Sequence, residues 1–280
     1  MLLSVAPNTR SDHVEELVNR KFGNSVTLIA AILALATGWF FFLPRGSAAQ
    51  TAELHVMISD GLKTVVEELT PQIERSIGRK LAVQFNSSKN LRDKIQAGEP
   101  FDAAILTSDV LDDLIQKGKL VAGMRADISR TGLGVGVRAG AAKPDIATAD
   151  ALKQAFLNAK FISFNPTGAS AVPTYKILAR LGISDAVKPK LLLDAEAGRT
   201  QMNVAGGKSD LVISLIPEIK FFPGVDLVGP IPSDLQSYVN FSGAVAMDAK
   251  DKDGGKALLQ FLTGPSAVPV LKAKGMEPHS

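Results

Sequence analysis

The sequence predicts an α/β protein of two lobes joined by two extended crossing segments. Three observations lead there. Short apolar runs alternate with amphipathic stretches of helical spacing, the pattern of a largely parallel sheet covered by helices. Two Gly-containing extended segments, 131–138 (TGLGVGVR) and 238–247 (YVNFSGAVAM), interrupt that alternation and divide it. Polar loops rich in Ser, Thr and Gly each follow an apolar run and open a helix.

The elements follow in order. Residues 26–43 (VTLIAAILALATGWFFFL) carry no charge, follow Arg20 and Lys21, and precede Gly46-Ser47-Ala48-Ala49. Small residues at Ser47 and Ala49 fit a signal-peptidase site, so residues 1–49 are expected to be a signal peptide, with Gln50 as the mature start. The alternative is an uncleaved N-terminal anchor, since the run just reaches spanning length. Both make the remainder an exported, extracytoplasmic protein. Residues 53–58 (ELHVMI) read as a strand. Leu62, Val65, Val66, Leu69 and Ile73 then mark one face of a helix. Residues 80–85 (KLAVQF) and 101–106 (FDAAIL) are further strands, each followed by a polar turn and a helix. After the first crossing come a helix at 150–158, a strand at 160–164, a helix at 172–181 ended by Gly182, and strands at 211–214 and 225–228. Helices at 252–262 and 266–273 close the chain. Lobe I is thus expected over 50–130 plus 245–280, and lobe II over 131–244.

Composition excludes several classes of chemistry. The 280 residues hold 31 Lys and Arg against 28 Asp and Glu, a net charge of +3 too balanced for a nucleic-acid binder. There is no cysteine, which removes disulfides, thiolate nucleophiles and Cys-ligated metals. Three histidines, His13, His55 and His279, are too few for a multi-His metal site, and His55 falls inside a strand. His279 lies in a tail expected to be disordered. No metal or cofactor is implied. A monomer is expected.

The loops Ser59-Asp60-Gly61, Asn86-Ser87-Ser88-Lys89 and Thr167-Gly168-Ala169-Ser170 all fall at the carboxyl ends of strands. Ligands of open α/β sheets bind there. Helix N-termini at such ends present free N–H groups and the positive end of a dipole, and small hydroxyl residues add donors. Each loop alone is also what helix capping produces. The three together point to an anion cleft.

The segments VMISDGL (56–62), FNSSKNL (85–91), AGEPFDAAI (97–105), NPTGASAVPTYKILARLG (165–182) and FLTGPSAVPVLKAKGM (261–276) resemble the periplasmic molybdate-binding-protein family. Its members are type II solute-binding proteins of ABC importers. The resemblance spans about 53–273 and implies the type II periplasmic binding protein fold with two hinge strands. It also implies a small anionic ligand, an oxyanion or an organic acid, and an inner-membrane permease as partner. It places ligand contacts at Ser59 or Gly61, at Ser87 or Ser88, along Gly168–Ser170, and at a helix start near 197–199. In molybdate binders of the family the last contact is a tyrosine after the strand equivalent to 211–214; here Leu215 stands in that place.

Arg199 and Lys89 beside the presumed cleft are candidates for a carboxylate clamp, since a guanidinium meets a carboxylate bidentately. Part of the family also resembles aconitate isomerase, which moves a double bond by proton transfer. Under that alternative Asp60 or Lys89 would be the catalytic base and Arg199 the clamp. Because Leu215 offers no phenolic donor, molybdate is expected to bind about ten- to a hundred-fold more weakly than a fully satisfied oxyanion. Calorimetric titration of molybdate against di- and tricarboxylates checks this, and submicromolar molybdate affinity would count against it.

Overall fold

The computed structural model describes residues 53–279, so the predicted signal segment lies outside the described residues. Among the described residues, no helix is long and apolar enough to cross a membrane. Ten strands follow in chain order: β1 Glu53–Ser59, β2 Lys80–Asn86, β3 Ala103–Thr107, β4 Ala126–Arg138, β5 Ile162–Phe164, β6 Leu191–Leu193, β7 Leu211–Leu215, β8 Val225–Pro230, β9 Tyr238–Val245 and β10 Glu277–Pro278. Their order is β2-β1-β3-β9-β4-β7-β5-β6, with β8 and β10 also paired to β4.

The outer pairings are parallel: β1 with β2 and β3, and β5 with β6 and β7. The inner ones are antiparallel, because β9 returns against β3 and β4, and β4 runs against β7 and β8. This corrects the expectation of a largely parallel sheet. The two extended segments are the cause, since each enters the sheet against its neighbours.

β4 is the strand on which the halves meet. Its first part, up to Gly132, pairs with β9. From Leu133 onward it pairs with β7 and β8. Leu133 pairs with Leu215 of β7, but on its other edge it falls between the last β9 pair, at Gly132, and the first β8 pair, at Gly134, and there Gln236 bonds its backbone. The Gln236 Oε1 accepts from Leu133 N–H at 2.9 Å, and Nε2 donates to Leu133 C=O at 2.9 Å and to Ile231 C=O at 3.3 Å. The amide thus stands in for a strand, using its donor and acceptor together.

The helix Lys63–Ile77 buries Val65, Val66, Leu69 and Ile73, the face its periodicity predicts, and stops at Gly78, whose φ of 65° suits glycine. Glycines in the TGLGVGVR run read in sequence as a place to bend. In the structure Gly136 instead admits a neighbour: a Cβ there would come within 2.7 Å of Ile219 and 2.9 Å of Val212. The short helix Ile216–Lys220 can lie close on β4 only because no side chain intervenes.

Asp102 of the AGEPFD motif is buried, and its carboxylate gathers three backbone N–H groups, those of His55 at 3.0 Å, Lys250 at 2.8 Å and Asp251 at 3.0 Å. It ties β1 to the turn before the helix Lys252–Thr263. His279, expected in a disordered tail, donates its backbone N–H to Ile128 C=O at 3.0 Å beside the β10–β4 pairing. Asp102→Ala leaves three donors without their acceptor, at about 1–3 kcal/mol for each one that stays buried. Its urea midpoint is expected to fall by the equivalent of about 3 kcal/mol or more, and a loss below about 1 kcal/mol would show the clamp to be dispensable.

Candidate functional site

The carboxyl ends of β1, β2, β5 and β7 open on one cavity of about 380 Å³. The first sheet contributes Ser59, Asp60, Gly61, Lys63, Thr64, Glu67 and Ser87. The second contributes Asn165, Gly168, Ser170, Thr200, Gln201, Ser214 and Glu218, with Pro217, Phe221, Phe222 and Met202 as apolar wall.

Each loop is shaped by its own residues. Ser59 ends β1 and is 2% exposed; its side chain makes no capping bond. Gly61 lies under Phe241, and a Cβ there would sit 2.6 Å from the ring and 3.0 Å from Leu215. Ser87 caps the helix Ser88–Gln96, accepting from Asn90 N–H at 3.3 Å. Asn165 folds the NPTG turn on itself: its Oδ1 accepts from Thr167 N–H at 2.8 Å, Thr167 Oγ1 at 2.9 Å and Gly168 N–H at 2.9 Å. Such Asx bonding is what makes Asn a turn former. Ser170 stands at the start of the helix Ala171–Arg180, 2% exposed and without a side-chain cap bond. Gly198, at φ 74°, starts the helix Arg199–Ala205, whose Thr200 and Gln201 are buried and joined by a 2.7 Å bond. The Thr64 hydroxyl is buried with no hydrogen-bond partner among the described residues.

Of the residues singled out in the sequence, Ser59, Asp60, Gly61, Ser87, Gly168 and Ser170 meet at this cavity. Four do not line it. Ser88 turns inward, its Oγ accepting from Thr107 N–H at 3.0 Å, so it joins the helix start to β3. Leu215 is fully buried and packs beneath Gly61. Arg199 turns to Glu196 at 2.7 Å and Asp194 at 3.9 Å, and those acids hold its guanidinium even further above its usual pKa range. Lys89 is likewise absent from the wall. A helix-start residue points out to solvent as readily as into a cleft, and sequence spacing alone does not separate the two.

The feature that sequence reasoning missed is Glu218. It sits in the Ile216–Lys220 helix with Pro217 at the helix start, and Ser214 Oγ of β7 donates to its Oε2. Burial pushes its carboxyl up to about 7; the Ser214 bond opposes this, the charge of Asp60 adds to it, and the Leu215 N–H opposes it. Asp60 is raised too, by burial, with Lys63 pulling the other way. Both acidic groups line the same cavity, and the charge of Asp60 makes Glu218 harder to ionise. The signal was present: an apolar strand ending in Ser-Leu, then Ile-Pro-Glu, places a carboxylate at a strand end just inside a Pro-started helix.

A family model described as bacterial extracellular solute-binding protein matches residues 54–277, and the chain belongs to that family. The chain is 28% identical to an aconitate isomerase from a Pseudomonas species over 260 residues, 90% of this chain and 96% of the relative. It is also 28% identical to the molybdate-binding protein ModA of Azotobacter vinelandii over 261 residues, 90% of this chain and 98% of that protein. The solved structure of the periplasmic molybdate-binding protein of Azotobacter vinelandii superposes with a TM-score of 0.70 at 18% identity, covering 81% of this chain and all of that one. The fold is accordingly the two-lobed α/β fold of periplasmic binding proteins.

The Glu218 carboxyl also sets a pH dependence. Its ordinary value is 4.5 and its folded value about 7. A raised value means the folded state holds a proton that the unfolded state releases. The associated stability is complete below 4.5 and is lost as pH rises through 7. Glu218→Gln is expected to become more stable relative to the parent between pH 5 and 8, by up to about 3 kcal/mol. Urea midpoints across that range check it; parallel curves would show that Glu218 is ionised throughout.

Proposed function

We propose that this chain captures a small organic anion outside the cytoplasm, in the periplasm, and presents it to an ABC importer in the inner membrane. The observation that carries the reading is the cavity itself. It gathers the carboxyl ends of strands from both sheets, with the hydroxyls of Ser59 and Ser170 at its wall and helix starts behind them. Such ends favour negative charge. A volume of about 380 Å³ with Phe221, Phe222, Met202 and Pro217 in the wall suits a ligand with a carbon skeleton better than a bare oxyanion.

The lobes in this reading are the two sheets. Lobe I holds β2-β1-β3-β9 and the first part of β4, and lobe II holds the rest of β4 with β7, β5, β6 and β8. The change of β4 partners after Gly132 supports drawing the first boundary near 131. The second boundary is drawn at about 231–237 rather than 244/245, because all of β9 pairs within the first sheet. Closure about these two connections would bring the walls onto the ligand.

A second reading, an isomerase of the aconitate type, is favoured by the Asp60–Glu218 pair. One carboxylate would take a proton from a methylene carbon, the double bond would move one place, and the other carboxylic acid would return a proton at the far carbon. A group near 7 can serve either role at neutral pH.

Thermal unfolding with a panel of oxyanions and di- and tricarboxylates tests the first reading. A true ligand at a hundred times its Kd adds about 2.7 kcal/mol and raises Tm; no shift with any anion would end it. Incubation with trans-aconitate, followed by NMR, separates the second. Turnover that Asp60→Asn and Glu218→Gln both abolish makes the protein an enzyme, and silence at high protein concentration leaves capture alone.

A further inference from the structure

A cleft for anions whose wall holds the carboxyl groups of Asp60 and Glu218, besides the Glu67 that faces Lys63, poses a chemical problem. An ionised carboxylate only accepts hydrogen bonds. Set against the carboxylate or oxyanion of a ligand, it leaves two acceptors facing each other with no proton between them. The complex forms only if a proton is present on one side of that contact.

We propose that the Asp60–Glu218 pair selects the ligand class: this cleft takes anions that carry a hydrogen-bond donor of their own, hydroxy acids or singly protonated oxyanions, in preference to size-matched anions that only accept. The inference rests on the anion-capture reading and sharpens it.

The placement of the two groups carries it. Glu218 is held by Ser214, and its helix is fixed over β4 by the close approach at Gly136. Asp60 belongs to the turn that follows β1 directly. Both line the one cavity. Among the described residues, no Lys or Arg forms an ion pair with either carboxyl. Lys63 is the charge that bears on Asp60, and its ammonium lies 3.8 Å from Glu67 on the exposed face of its helix. The elements packed against Glu218 bring little else. β7 has no ionisable residue, β4 carries Asp127, Arg130 and Arg138, β8 carries Asp226, and the segment near Gly275 carries Lys274. None of these lines the cavity. Asp127 is engaged by Arg125, Arg130 by Glu277 and Lys274 by Glu68. The donors needed for the ligand's ionised oxygens are close by, in Ser59, Ser170 and the Thr64 hydroxyl, which has no partner among the described residues.

A ligand hydroxyl donating to the pair satisfies it without any change of protonation. An anion lacking that donor must find Glu218 protonated, and its binding then takes up a proton. At alkaline pH this cost falls on the acceptor-only anion alone. A site that hydrogen-bonds a hydroxyl rejects an analogue without it by leaving its own buried group unpaired.

Calorimetric titration at pH 8.5 of three matched pairs tests this: malate with succinate, citrate with tricarballylate, hydrogen phosphate with sulfate. The donor-bearing member of whichever pairs bind is expected to be at least about tenfold tighter. At pH 6 the gap narrows because Glu218 already holds its proton, whereas at pH 8.5 any binding of the acceptor-only member takes up close to one proton, read from buffers of different ionisation heat. Glu218→Gln narrows the gap at pH 8.5, because the amide donates with no added proton. The wild-type comparison alone decides the matter if that variant fails to fold. Binding with equal affinity within each pair, or a gap that neither Asp60→Asn nor Glu218→Gln alters, overturns the proposal while leaving anion capture intact. If no member of any pair binds, anion capture itself fails and this inference falls with it.

Discussion

Everything in this fold depends on β4 exchanging one set of partners for another without leaving a backbone group unpaired. Up to Gly132 the strand belongs with β9; from Leu133 it belongs with β7 and β8. A strand that crosses between sheets exposes an N–H and a C=O at the crossing, and burying them unpaired costs as much as losing a hydrogen bond. The Gln236 amide meets both, while Ile231 N–H adds a 3.0 Å bond to the same Leu133 carbonyl. The outgoing and returning chains are thus fastened at the same residue. The cleft lies where the sheets they join face one another, so its geometry is inherited from that fastening.

The architecture was largely legible because the strands are short, apolar and followed by helix-forming runs. Helical spacing located the buried face of the helix Lys63–Ile77, and the long alternating segments located β4 and β9. The short elements were not legible. The strand Leu191–Leu193 and the helix Ile216–Lys220 are too brief to show a period, and the start of the helix Arg199–Ala205 is legible only through the family resemblance. They are fixed by tertiary packing, such as the close approach over Gly136, which leaves no trace in local propensity.

The same limit explains what was seen of the cleft. Ser59, Ser87 and Ser170 were found because a polar loop after an apolar strand has only one end of the sheet to occupy. Ser88 was not separable from Ser87, since adjacent residues at a helix start point in different directions and only the fold assigns them. Arg199 looked like a clamp by charge alone, yet it stands among acids of its own loop. Glu218 was overlooked because it belongs to a helix of five residues that the sequence does not announce. The net result inverts the electrostatic expectation. The charged residues of the cavity wall are Asp60, Glu67, Glu218 and Lys63, and neither of the two predicted cations, Arg199 and Lys89, is among them.

The placement of β9 also has a kinetic side. It sits between β3 and β4, pairing residues 103–107 with 241–245 and 126–132 with 238–243. The first sheet therefore has a gap at its middle until nearly the whole chain is available. The second sheet, drawn from residues 133–230, has all its strands much earlier. Closing the longer loop demands more conformational entropy before any contact rewards it. Assembly of this protein is thus weighted toward its middle first, with the N-terminal strands waiting for the last one, and β3 keeps an open edge through that interval. An unpaired edge is a template for pairing with another chain. The short β3, AAILT, with no charge of its own, is the stretch most in need of prompt cover while the chain is incomplete.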